Sequence, residues 1–189
     1  GGQVEVGRRL HELGANVETP EEGGHTPVRI AAQFGHVEVV RLLHELGANV
    51  ETPNENGCTP VYVAAQEGQV EVVRLLHELG ANVETPNKNG ATPVYIAAQM
   101  GHLHVVRVLA GRGAKVDTQN MNGYTPVYIA AEMGHVEVVR VLAERGADVE
   151  TPSDYGATFA SQWRSMSQAG TAMAPLSRPS SSFQQGRPR

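Results

Sequence analysis

The chain has 189 residues and a formal charge of −5; residues 158–189 carry four arginines and no acid, which leaves −9 for residues 1–157. So acidic a body is a poor phosphate binder, because nucleic-acid affinity rests largely on Lys and Arg neutralising phosphates. The single cysteine, Cys58, excludes an internal disulfide and fits a reducing compartment, and no apolar run approaches the ~20 residues that a membrane helix needs.

From the N-terminus, residues 2–25 match residues 35–58 at an offset of 33. Residues 1–25 therefore read as the second half of a repeating unit without its first helix. Gly7 stands where Val40 stands, and Arg9 where Leu42 stands. A worn terminal unit and an array that continues before Gly1 both fit, and the apolar face left uncovered favours the continuing array. Four full copies follow, at 26–58, 59–91, 92–124 and 125–157. A fixed period of this length is the signature of a stacked-repeat solenoid, and three or more units are enough for cooperative stability.

The copy at 59–91 shows the plan of a unit. Thr59-Pro60 opens a helix: the hydroxyl can accept from an orphan N–H, and proline suits the first turn. VYVAAQE follows, and Gly68 ends the helix. A second helix runs from Val70 to Leu79, with Val70, Val73, Leu76 and Leu79 at helical spacing. Gly80 stops it, and AxVETPNxNG reads as an extended turn. The small Ala64 and Ala65 let neighbouring helices approach closely. No unit of this size buries its own stripe, so each stacks on the next.

After Ala157 the pattern fails, but Phe159, Trp163 and Met166 share one helical face. Residues 158–169 read as a capping helix over the last unit, with a short linear docking motif as the alternative. Residues 170–189 are Ser/Pro/Gln/Arg-rich without period and read as a disordered tail. Arg178, three residues before Ser181, is a weak basophilic kinase signal there.

No catalytic or metal constellation emerges from the pattern. His11, His44 and His77 recur in register, but equivalent residues of packed helices lie about 8–10 Å apart, whereas imidazoles sharing a zinc ion each reach it at ~2 Å. His102 and His104 point to different sides of a helix. Cys58 and His25 occupy equivalent slots one unit apart, beyond the ~3 Å of a nucleophile–base pair. The Glu5–Arg8, Glu38–Arg41, Glu71–Arg74 and Glu137–Arg140 couples are surface i, i+3 pairs. The glycines punctuate helices and turns rather than forming a phosphate loop. The chain reads as a non-enzyme without cofactor or metal.

The segments TPVY-[VI]-AA, G-[HQ]-[VL]-[EH]-VVR, GA-[NKD]-V-[ED] and NxNG together resemble the ankyrin repeat, over roughly residues 2–157. The resemblance implies an all-α solenoid: a right-handed stack of antiparallel helix pairs with hairpin-like loops jutting out at one edge. One departure recurs. Where the family usually carries histidine, this chain has Arg29, Tyr62, Tyr95 and Tyr128.

Partner contacts in this family come from the loops and first helices, and the first two full copies differ at only six of 33 places, mostly there. Carried over by resemblance, the loop positions are Glu22, Gly23 and His25; Glu55, Asn56 and Cys58; Lys88, Asn89 and Ala91; and Met121, Asn122 and Tyr124. The first-helix positions are Gln33 and Phe34, Gln66 and Glu67, Gln99 and Met100, and Glu132 and Met133, joined by Arg29, Tyr62, Tyr95 and Tyr128. For the three tyrosines, packing against a neighbouring unit is an equal alternative. The C-terminal half is the richest in large adaptable side chains, with Tyr95, Met100, Met121, Tyr124, Tyr128 and Met133. The expectation is a monomeric scaffold or adaptor, cytoplasmic or nuclear, that offers a concave surface to a protein or peptide and neither binds nucleic acid nor inserts into membrane. The alternative is the recognition segment of a larger kinase or ubiquitin ligase.

Overall fold

A computed structural model describes residues 16–21 and 23–150. The half repeat, the segment expected to form a capping helix, the C-terminal tail and Glu22 lie wholly or largely outside the described residues. Within them are eight α-helices and no strand, with one isolated antiparallel bridge between Glu21 and His25. The helices are α1 (Pro27–Gln33), α2 (Val37–Glu45), α3 (Pro60–Gln66), α4 (Val70–Glu78), α5 (Pro93–Gln99), α6 (Leu103–Gly111), α7 (Pro126–Glu132) and α8 (Val136–Glu144).

Each first helix begins as its sequence requires. Thr26, Thr59, Thr92 and Thr125 adopt extended backbone, and each Oγ1 accepts from the N–H three residues on, with proline at the first helical position. That satisfies one of the orphan donors of the helix start. After seven residues a glycine with positive φ turns the chain into the second helix. The unit closes at once, because the N–H of Gln69 donates to the carbonyl of Ala64 at 2.8 Å, and that of His102 to Ala97 at 2.9 Å.

The units stack in chain order. α1, α3, α5 and α7 pack in one row and α2, α4, α6 and α8 in a second, with each helix pair held antiparallel. The first-helix row is the tighter one. Its contact positions are alanines (Ala31, Ala32, Ala64, Ala65, Ala97, Ala98, Ala130 and Ala131), all buried, so the backbones come close. The second helix departs from the single apolar stripe of Val70, Val73, Leu76 and Leu79 that its spacing predicts: Val72, Val73, Leu75 and Leu76 are buried, while Val70 and Leu79 are only partly covered. A helix inside a stack meets its own partner and the units on both sides, so its buried arc is wider than that of a surface helix. Leu76, Leu109 and Leu142, all fully buried, run through the middle of this continuous core.

Polar ties cross every junction. The ring Nε2–H of His102 donates to the carbonyl of Gln66 at 2.9 Å, and that of His135 to Gln99 at 3.0 Å; Gln69 makes the same bond to Gln33 at 3.1 Å. The Glu51 carboxylate accepts from the N–H of Asn82 at 2.6 Å, Glu84 from Lys115 at 2.8 Å and Asp117 from Asp148 at 2.8 Å. Each bond joins one unit to the next and satisfies a backbone group at a helix end or turn. Replacing His102 with alanine leaves the Gln66 carbonyl without its partner and should cost about 1 kcal/mol. Urea denaturation of wild type and variant checks this, and an unchanged midpoint contradicts it.

Candidate interaction surface

The loops between units are closed and tied to one another. In the second loop, Asn87 N–H donates to the Ala91 carbonyl at 2.9 Å, and the Asn87 Oδ1 accepts from the N–H groups of Asn89 and Ala91 at 2.9 and 3.0 Å. Asn54 and Asn120 do the same in their own loops. Successive tips are joined by backbone bonds: Glu55 N–H to the Gly23 carbonyl at 3.3 Å, Lys88 to Asn56 at 2.9 Å and Met121 to Asn89 at 2.9 Å. Glycine is required beneath this ladder. Gly90 has φ 76°, and a Cβ there would meet the Met121 nitrogen at 3.0 Å.

Tyr62, Tyr95 and Tyr128 are buried, which places them in the core of the stack and leaves them little surface for a partner. Two of them hold the loops from behind. Asn87 Nδ2 donates to the Tyr62 hydroxyl at 3.1 Å, and Asn120 Nδ2 to the Tyr95 hydroxyl at 3.1 Å. A hydroxyl can accept, whereas a guanidinium cannot. Arg29, at the equivalent position of the first full copy, therefore has no such bond to Asn54, and its buried Nε has no partner among the described residues. Arg29 is also buried, so it too offers little contact area.

Burial sets the chemistry of this inner layer. It pushes the Tyr95 phenol, with help from Glu132, Tyr124 and Tyr128, up to about 12 from the ordinary value of 10.0. The Tyr62 phenol is raised mainly by burial, the Asn87 hydrogen bond opposing, and Tyr128 is raised by burial and then by Glu132. Burial also raises the Cys58 thiol, against the pull of Arg29 and a hydrogen bond with Asn87, and lowers the Arg29 guanidinium. Cys58 is thus held in its neutral form, unlike a reactive thiolate. Because the native state keeps the Tyr95 proton above the pH at which an unfolded tyrosine loses it, stability should be full below pH 10 and fall as pH rises towards about 12. An alkaline denaturation series followed by far-ultraviolet dichroism tests this, and a midpoint in urea that is constant from pH 9 to about pH 12 contradicts it.

Outside this layer lie the side chains that face solvent. Phe34 is 62 % exposed, Met100 48 %, Met121 71 % and Met133 47 %. Phe34, Met100 and Met133 close first helices at one register and so share one side of the stack, while Met121 sits at a loop tip. Phe34 stacks on His36 with ring centroids 6.2 Å apart. Glu55, Asn56, Glu67, Lys88, Asn89, Asn122 and Glu132 are exposed, while His25, Gln33, Gln66, Gln99 and Tyr124 are half-buried. Gly23 and Cys58 are half-buried and Ala91 is buried at the loop bases. Tyr124 lies on Tyr128, ring centroids 4.7 Å apart and planes at 14°.

The opposite side differs. Two open cavities, of about 590 and 700 Å3, lie along the second helices and the turns after them, one lined by Arg74, His104, Arg107 and Arg112 and the other by Lys115, Asp117 and Arg145. Ion pairs link Arg74 to Glu71 at 3.8 Å, Arg140 to Glu137 at 3.5 Å and Arg112 to Glu78 at 3.4 Å. These are exposed couples, each worth a few tenths of a kcal/mol. Among the described residues no three His, Cys, Asp or Glu side chains gather as metal ligands, and no helix is long and apolar enough to cross a membrane.

The sequence pointed to this side of the stack but missed what holds it in shape. Asn54, Asn87 and Asn120 recur at intervals of 33, as do Glu51 and Glu84 with Asp117. That recurrence of single polar residues was the available signal. The sequence model of the family described as ankyrin repeats, in three copies, matches residues 1–87 and 77–153. No curated protein matches the chain.

Proposed function

Because this chain belongs to the ankyrin repeat family, whose repeats are in general protein–protein interaction modules, we propose that it is a non-enzymatic scaffold or adaptor. Its first helices and loop tips bind a protein or peptide. The observation that carries this reading is the exposure of Phe34, Met100, Met121 and Met133, at first-helix ends and a loop tip of a stack whose other large apolar side chains, among the described residues, are covered. Single exposed apolar residues need no explanation, whereas Met100 and Met133 recur at one register of adjacent units, with Met121 in the loop between those units. The first helices pack more closely on one another than the second helices do, which favours curvature of the stack towards that side. A preformed surface of this kind costs little ordering on binding, and the tied loops supply the rigidity. The chain acts as a monomer in the cytoplasm or nucleus, where a lone cysteine stays reduced.

Affinity purification from cell extract on the immobilised chain tests the proposal. Proteins retained above a blank matrix, and released by a soluble excess of the same chain, are expected. Recovery equal to the blank would make the stack a spacer.

A further inference from the structure

The C-terminal part of the exposed side has a feature that neither the other units nor the family pattern supplies. Tyr124 stacks on Tyr128, leaving Tyr124 half-exposed. Glu132 follows Tyr128 by one helical turn on α7, so it lies on the same face of that helix. Its carboxylate is exposed, and among the described residues no lysine or arginine pairs with it. Its charge adds to burial in raising the phenols of both Tyr95 and Tyr128. Met133 adjoins it, and Met100 stands at the same register one unit earlier.

Charge is distributed to match. Of the nine lysines and arginines among the described residues, seven lie on second helices or the turns after them, and Arg29 is buried. Lys88 is thus the one exposed cation on the first-helix and loop side among the described residues, against the exposed Glu55, Glu67 and Glu132. An electron-rich ring face beside a free carboxylate, rimmed by thioethers, suits a cation on an apolar stem.

We propose that the half-exposed ring of Tyr124, backed by the buried Tyr128, and Glu132 seat a lysine or arginine side chain of a partner peptide, whose apolar residues lie on Met100 and Met133. The inference rests on the reading of this side as the interface, and adds the chemistry of what docks there. The cation meets the ring face and the carboxylate together, while its methylene stem covers Met133. An all-apolar segment would leave Glu132 desolvated without a partner, and an acidic one would face it directly.

Selection of random twelve-residue peptides, displayed on phage, against the immobilised full chain provides the test. Enriched peptides should carry Lys or Arg beside apolar residues. Changing that cation to norleucine in a synthetic copy should weaken binding to the wild-type chain about tenfold. On Glu132→Gln and on Tyr124→Leu the same change should cost less than about twofold, because the seat is already lost. Peptides that lose affinity on Met100→Ala with Met133→Ala, yet tolerate norleucine on wild type, overturn the cation seat and leave the interface standing. So does a norleucine penalty that is as large on Glu132→Gln as on wild type. Enriched peptides indifferent to all these substitutions overturn the seat and the interface together.

Discussion

Leu109→Ala should lower the free energy of unfolding by about 2–5 kcal/mol, the range for removing a buried leucine side chain without full collapse of the space it leaves. Leu109 lies on α6 and is fully buried in the stack. In a globule such a loss can be spread over one large core. Here each unit meets only its neighbours, so a cavity in an inner unit weakens the junctions on both sides of it. Arg107, two residues earlier on α6 and exposed, is the control: Arg107→Ala should stay within about 0.5 kcal/mol. Urea denaturation with a common m-value separates the two. A Leu109→Ala variant as stable as Arg107→Ala would mean that α6 does not sit inside a packed stack.

The largest functional effect is expected from Met100→Ala combined with Met133→Ala, which should weaken binding of a selected peptide or recovered partner at least about tenfold. The two side chains are 48 % and 47 % exposed and occupy the same register in adjacent units. Their truncation opens no cavity, so the thermal midpoint should move by no more than a few degrees, the shift that about 1 kcal/mol produces in a domain of this size. Met is unbranched and polarizable and adapts to an uneven partner, which makes it effective on a surface that is itself rigid. Isothermal titration gives the affinity and a melt gives the midpoint. Unchanged affinity with an intact fold would remove Met100 and Met133 from the interface.

Much of this architecture is legible in the chain because the repeat repeats. A Thr-Pro pair before a short Ala-rich run can only be a capped helix start, and four copies at an interval of 33 place every later element. Exposed Phe34, Met100 and Met133 could also be picked out, since they follow the Ala-Ala-Gln or Ala-Ala-Glu end of a first helix where an alanine pattern stops, and Met121 stands out in a polar loop. What pattern alone does not reveal is which polar residues turn inward. For Tyr62 and Tyr95 the pattern leaves partner contact and packing against a neighbouring unit equally open, and the structure buries both, with their hydroxyls taken by Asn87 and Asn120. A phenol near a first-helix start can face solvent or a neighbouring loop, and only the position of that loop decides between them. The same holds for Glu51 and Glu84, which read as charged turn residues and prove to accept backbone N–H groups of the next unit. Helical periodicity likewise misplaces the buried arc of α4, where stacking on both sides covers Val72 and Leu75 along with Val73 and Leu76 and leaves Val70 and Leu79 only partly covered.

Whether partners dock on the first-helix and loop side is decided most directly by placing a photoreactive benzophenone amino acid at position 121 or at position 74. Met121 is 71 % exposed at a loop tip, and Arg74 lies on a second helix across the stack. With a selected peptide bound, irradiation should yield a covalent adduct from position 121 and none above background from position 74. Adducts from position 74 alone would place the binding surface on the second helices and contradict the assignment.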